Sequence, residues 1–220
     1  MADRPASVRR GDGIAMNRRH LLATTATTAL VGCLSGPDDE GDGEDDDAPT
    51  EPPFEIATLD APGSESGAIT VPDSSRPLLC NFTRTECPTS RGFLSTLAEA
   101  ASRLEGGGYA VGGADPDVRF LSVTDGTSGP SPTDDELAAW FEANGGNWWL
   151  GRDEPGTCYD YYGIDGYPTT ILVGSTGTVH WRNRGRSSPG TVTATVRDVL
   201  EADVGGSDGG NESAGNRTDS

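Results

Sequence analysis

LLCNFTRTECPTS, residues 78–90, decides how the rest of the chain is read. Pro77–Thr83 is a continuous apolar run of strand length, the pattern of a strand buried on both faces. A helical pattern follows from about Pro88 to Leu104, with Phe93, Leu94, Leu97 and Ala101 on one face. Proline suits a first helical turn, whose N–H groups have no partner in any case. Cys87 therefore falls at the start of that helix. The positive end of the helix and its unsatisfied N–H groups favour a thiolate there. Only the thiolate attacks a disulfide, so the placement raises reactivity.

The flanking sequence extends the alternation. Upstream, Phe54–Leu59 and Ala68–Val71 are short strands around a Gly/Ser turn. Downstream, Val118–Val123 is a second buried strand. Thr133 and Glu136 have capping-box spacing and open a helix through Trp140 and Phe141. Asn147–Leu150 reads as a short strand, which would turn Trp148 or Trp149 outward. Thr169–Val173 and Val179–Arg182 flank the turn residues Gly174–Gly177, and Ser188 with Pro189 starts a last helix through Val192, Val196 and Leu200. Strand–helix alternation closed by a hairpin predicts an α/β fold. Its central mixed sheet carries helices on both faces and a leading N-terminal β-hairpin.

The ends read differently from the middle. Arg18 and Arg19 precede a short apolar run, Leu21–Gly32, that closes on Cys33. A positive start, a short apolar segment and small residues at its end make an export signal. Leu30–Cys33 resembles a lipoprotein box, and Asn17–Leu22 resembles a twin-arginine motif without its usual aromatic. The expectation is a signal over 1–33 with Cys33 lipidated, hence an extracytoplasmic protein anchored to the membrane. Met16 is the natural start of such a signal. Residues 34–53 are an acidic, Gly- and Pro-rich linker, and 203–220 a similar tail carrying acceptor triplets at Asn211 and Asn216. Between them, 54–202 form the domain.

The charge is lopsided: 35 acidic residues against 16 basic ones, a net charge of −19, with no Lys and no Gln. This uniformly acidic, Lys-free composition resembles proteins of halophilic archaea, in which salt screens self-repulsion. It excludes a nucleic-acid partner, for no basic stripe exists to neutralise phosphates.

Residues 78–90 align without a gap to the strand–Cys–helix unit of the thioredoxin-like superfamily, in particular the membrane-anchored TlpA/ResA-type disulfide reductases. Asn81-Phe82 match that unit, and Cys87-Pro88 occupy the nucleophile position. Tyr162–Thr170 (YGIDGYPTT) resembles the family's run ending in cis-Pro, Thr, Thr. The resemblance covers about 54–202. It implies a thioredoxin-like fold, a cis Tyr167–Pro168 bond facing Cys87, and Tyr167 and Pro168 as a seat for an extended substrate strand. It implies disulfides or thiols, of proteins or small molecules, as partners, and no cofactor.

The departures bear on mechanism. The family's second cysteine is Ser90 here, which leaves Cys-x-x-Ser. A hydroxyl cannot expel a bound product from sulfur, although Ser90 can hydrogen-bond the Cys87 thiolate. Glu86 opposes ionisation, and Arg84 and Arg91 counter it. With Cys33 set aside, three cysteines remain, an odd number that flags a free thiol or an intermolecular bond. Cys80 and Cys158 read first as small buried hydrophobes. Cys158 is the better candidate for a resolving partner, and a Cys87–Cys158 disulfide is the sharper alternative. His180 reads as a surface strand residue, and no cysteine or histidine spacing suits a metal.

Three functions fit: a one-cysteine thiol–disulfide oxidoreductase, a redox-inactive binding module of the same fold, or a peroxidase. Cys87-Pro88-Thr89 resembles the peroxiredoxin Cys-Pro-Thr only superficially, since Arg84 stands where that family places Thr.

Overall fold

The structure is a computed structural model and describes residues 50–127, 129 and 131–206. The export signal with Cys33, the linker through residue 49, and the tail from residue 207 with Asn211 and Asn216 lie outside the described residues.

In chain order the elements are β1 Phe54–Thr58, β2 Gly67–Val71, β3 Leu78–Thr83, α1 Pro88–Gly106, β4 Arg119–Asp125, α2 Asp134–Ala143, β5 Trp149–Asp153, α3 Thr157–Tyr161, β6 Thr169–Val173, β7 Val179–Arg184 and α4 Pro189–Gly206. They build a seven-stranded sheet in the order β2-β1-β5-β4-β3-β6-β7. The strands β3, β4 and β5 run parallel, and the other pairings are antiparallel. From β3 to β4 to β5 the chain steps twice in one direction across the sheet. Right-handed crossovers then put α1 and α2 on one face.

The core follows that layout. On one face, Phe93, Leu94, Leu97 and Leu104 of α1 pack with Leu137 and Phe141 of α2 and Val192 and Val196 of α4. On the other, Phe54, Ile56, Ile69 and Val71 of the leading hairpin meet Cys158 and Tyr159 of α3. Each fully buried Leu or Phe contributes roughly 1.5–3 kcal/mol of apolar burial. The central strand β3 is buried at every position, as a continuous apolar run predicts.

Local signals hold where the sequence offered them. Thr133 Oγ1 accepts from the Glu136 N–H at 3.3 Å, and Glu136 Oε2 accepts from the Thr133 N–H at 2.9 Å, closing the capping box of α2. Ser188 Oγ accepts from the Thr191 N–H at 3.0 Å at the head of α4. Gly177 takes φ 83° in the β6–β7 turn, a conformation that favours glycine.

Several boundaries shift by a residue or two from expectation, and two shift further. β5 is Trp149–Asp153 rather than Asn147–Leu150. Its charged end is strand because β5 lies between β1 and β4, so both edges are paired; Arg152 is then buried against Asp134 at 3.0 Å and Glu154 at 3.1 Å. Trp148, just before β5, is buried beside Phe141, whereas Trp149 on the other face is half-buried under Arg119. α4 continues past Ala202 to Gly206. No helix among the described residues is long and apolar enough to cross a membrane.

Candidate functional site

Cys87 is the N-cap of α1, with extended backbone at φ −86° and ψ 112°. Its carbonyl accepts the Arg91 N–H at 3.1 Å, and its own N–H donates to the Arg84 carbonyl at 3.1 Å, which fixes the turn out of β3. The side chain caps nothing. Sγ is half-exposed and lies 3.6 Å from the Tyr167 carbonyl oxygen, to which the thiol donates. The two stretches that carry the family resemblance therefore meet at one point. Tyr167–Pro168 is cis. Its loop is held by the Gly185 N–H donating to the Pro168 carbonyl at 2.7 Å and by Thr169 Oγ1 donating to the Gly166 carbonyl at 2.6 Å.

The electrostatics of Cys87 are a contest. Burial raises the thiol pKa. The backbone N–H and hydroxyl of Ser90, followed by those of Thr89, outweigh it, so the thiol sits below its ordinary value. Ser90 itself is fully buried, and its Oγ has no hydrogen-bond partner in the resting thiol state. An orphaned hydroxyl next to a sulfur is a donor waiting for a sulfur anion.

The other described cysteines behave differently. Cys80 on β3 and Cys158 on α3 are both buried, and all three thiols are free. Burial pushes Cys80 far up. It does the same to Cys158, with Cys80 and Asp153 adding to the rise. The structure thus joins Cys87 to Ser90, Tyr167 and Pro168. It leaves Cys158 inside the apolar layer with Phe82 and Tyr159.

Behind Tyr167 stands a group that residue order alone does not reveal. The Arg84 guanidinium lies 4.7 Å from the Tyr167 ring centroid and pairs with Asp125 at 3.4 Å. Asp153, opposite Asp125 in the parallel ladder, is buried, and its Oδ2 accepts from the Tyr159 N–H at 2.9 Å. Burial raises its carboxyl pKa. The backbone N–H groups of Tyr159, Gly156 and Cys158 pull it back, and Asp125 adds to the rise. A polar row also crosses the sheet under α1. Thr170 donates to Asn81 at 3.4 Å, Asn81 to Ser122 at 3.4 Å, and Trp148 Nε1 to Ser122 at 3.0 Å. Polar residues inside otherwise apolar strands were the one available signal for this row. His180 is exposed. No group of three or more His, Cys, Asp or Glu side chains that could hold a metal ion exists among the described residues.

No protein-family model matches the chain, and no curated protein matches it significantly. Solved structures do. DsbF from Mycobacterium tuberculosis, in mixed oxidised and reduced forms, is 18% identical over 69% of this chain and 98% of its own, with a TM-score of 0.52. A putative thioredoxin from Neisseria meningitidis is 17% identical over 76% and 95%, with a TM-score of 0.51. The exposed lipoprotein thioredoxin Etrx1 of Streptococcus pneumoniae is 16% identical over 66% and 98%, with a TM-score of 0.50. Likeness at such identities establishes architecture. The chain has a thioredoxin-like α/β fold.

Proposed function

We propose that this protein is an extracytoplasmic thiol–disulfide oxidoreductase working through the single nucleophile Cys87 of a Cys-x-x-Ser motif. The observation that carries this reading is the meeting of a half-exposed, pKa-lowered sulfur at the head of α1 with the Tyr167 carbonyl 3.6 Å away. The Cys87 thiolate attacks one sulfur of a substrate disulfide. The S–S bond breaks, and the other half leaves as a thiolate. Ser90 holds the Cys87 anion before attack but cannot expel the bound half, so an external thiol must do so. Tyr167 and Pro168 line the place where a substrate strand would lie. The fold's similarity to a secreted disulfide oxidoreductase of Mycobacterium tuberculosis and to an exposed lipoprotein supports the extracytoplasmic reading. In that reading Arg18-Arg19 direct export, Cys33 carries the lipid, residues 34–53 tether the domain, and the acidic surface suits high salt.

The test follows Cys87 by mass after exposure of the purified protein to a peptide disulfide or to peroxide. A mixed disulfide on Cys87 is the expected product. Oxidation by peroxide alone would make it a peroxidase, and reaction with neither would make it a binding module.

A further inference from the structure

We infer that Arg91 and Arg186 form a cationic seat beside Cys87 for a small carboxylate-bearing thiol, the external reductant that the one-cysteine site needs. This rests on the redox reading above and names the class of its second substrate.

The two arginines come from the two walls of the site. Arg91 lies one helical turn beyond Cys87, its N–H bonded to the Cys87 carbonyl. Arg186 follows Gly185, whose N–H holds the Pro168 carbonyl at 2.7 Å. From there its guanidinium reaches over to α1 and rests on Gly92, where any Cβ would collide with it. Arg186 therefore connects the two segments between which Cys87 Sγ faces the Tyr167 carbonyl.

Both arginines are exposed, and neither makes an ion pair or side-chain hydrogen bond with any described residue. Their neighbours do: Arg84 holds Asp125, Arg184 holds Asp165 at 3.1 Å, and Arg182 donates to the carbonyls of Tyr162 and Gly163. Carboxylates are abundant in this chain, yet among the described residues these two guanidinium groups meet none. Glu86, the residue before Cys87, is exposed. A ligand that satisfies the two guanidinium groups while its own sulfur resolves the mixed disulfide carries a carboxylate a few bonds from its thiol, and guanidinium binds carboxylate through two parallel hydrogen bonds.

The chemistry closes. After the first attack, Cys87 is in a mixed disulfide with half of the substrate. The thiolate of the small molecule attacks the substrate sulfur, and the Cys87–S bond breaks with its electron pair returning to Cys87. The small thiol is oxidised into a disulfide with the substrate half, and Cys87 leaves as the free thiolate.

The experiment loads the full chain at Cys87 with 2-mercaptoethanol as a mixed disulfide. Release is then timed with mercaptosuccinate, 2-mercaptoethanol and cysteamine at low ionic strength. Each rate is referred to the thiolate form of the probe and to its rate on a blocked cysteine peptide carrying the same disulfide. The expected order is mercaptosuccinate, then 2-mercaptoethanol, then cysteamine, with up to about fivefold between the first two, the scale of one exposed ion pair. The Arg91→Ala/Arg186→Ala variant should lose that preference, read as the ratio of its mercaptosuccinate rate to its own 2-mercaptoethanol rate, and the Lys/Lys variant should keep part of it. Salt should shrink the preference. A protein that loads but releases at rates blind to probe charge overturns the seat and leaves the redox reading standing. If Cys87 cannot be loaded by any disulfide, the redox reading fails and takes the seat with it.

Discussion

Two cysteines sit in the first turn of a helix in this fold, and they have opposite fates. Cys87 caps α1, and Cys158 is the second residue of α3. The nineteen-residue α1 presents its sulfur at the surface with the Ser90 and Thr89 donors around it, and the thiol pKa falls. The five-residue α3 buries its sulfur among Phe82, Tyr159 and Cys80, and the pKa climbs. Position at a helix start is therefore not sufficient for a reactive thiol. Where burial leaves the anion few donors, desolvation decides.

The widest gap should appear in native-state alkylation. Cys87 should react as an exposed thiol, while Cys80 and Cys158 should lag by about a thousandfold or more because they wait for the structure to open. Equal rates for Cys87 and Cys158, read by mass on unreduced protein, would erase the contrast. Next in size is Ser90→Cys, which puts a resolving thiol within reach. A disulfide between Cys87 and the introduced thiol should form on oxidation. Mixed disulfides on Cys87 should then decay at least about tenfold faster than in the parent, since the attack becomes intramolecular. Ser90→Ala should act more gently: it removes the hydroxyl that favours the anion, so the alkylation midpoint of Cys87 moves up in pH. An unmoved midpoint would mean that the backbone donors alone set the thiol.

The smallest effect concerns Asp153, beside the Cys158 helix. Its folded pKa is raised, so the native state holds its proton more tightly than the unfolded chain does. Stability should therefore decline as pH rises from about 4, the unfolded carboxyl value, to the raised folded value, with the penalty complete above that. Asp153→Asn keeps an acceptor for the Tyr159 N–H and should remove this decline. Parallel denaturation curves for the two proteins across that window would show that the buried carboxyl is not the cause.

Much of the fold could be read from local patterns because local patterns cause it. The all-apolar β3, the Thr133–Glu136 box and the Ser188 cap each depend on neighbours in sequence. The far end of β5 could not be read that way. Nothing in Gly151-Arg152-Asp153 favours a strand, and only flanking partners on both edges impose one. The site divides similarly. Cys87, Ser90, Tyr167 and Pro168 were legible from the two motifs, as was the burial of Cys80 and Cys158 from their apolar settings. Arg84 was visible as a charge near Cys87, but its grip on Asp125 and the Tyr167 ring joins residues far apart in the chain. Arg186 carried no signal, for its approach to Gly92 joins residues far apart in the chain.

The row Thr170–Asn81–Ser122 has a further consequence for how the chain finds its alignment. Apolar side chains on β3, β4 and β6 are nearly interchangeable, so oily contacts alone would tolerate a strand sliding along its neighbour. A slip of one residue turns Asn81 to the opposite layer, among Phe82, Cys158 and Ile171, and breaks its bonds to Thr170 and Ser122. The asparagine works as a peg that fits one hole, and it lies on the strand that leads directly into Cys87. Errors of threading would thus be rejected at the core before they could misplace the sulfur.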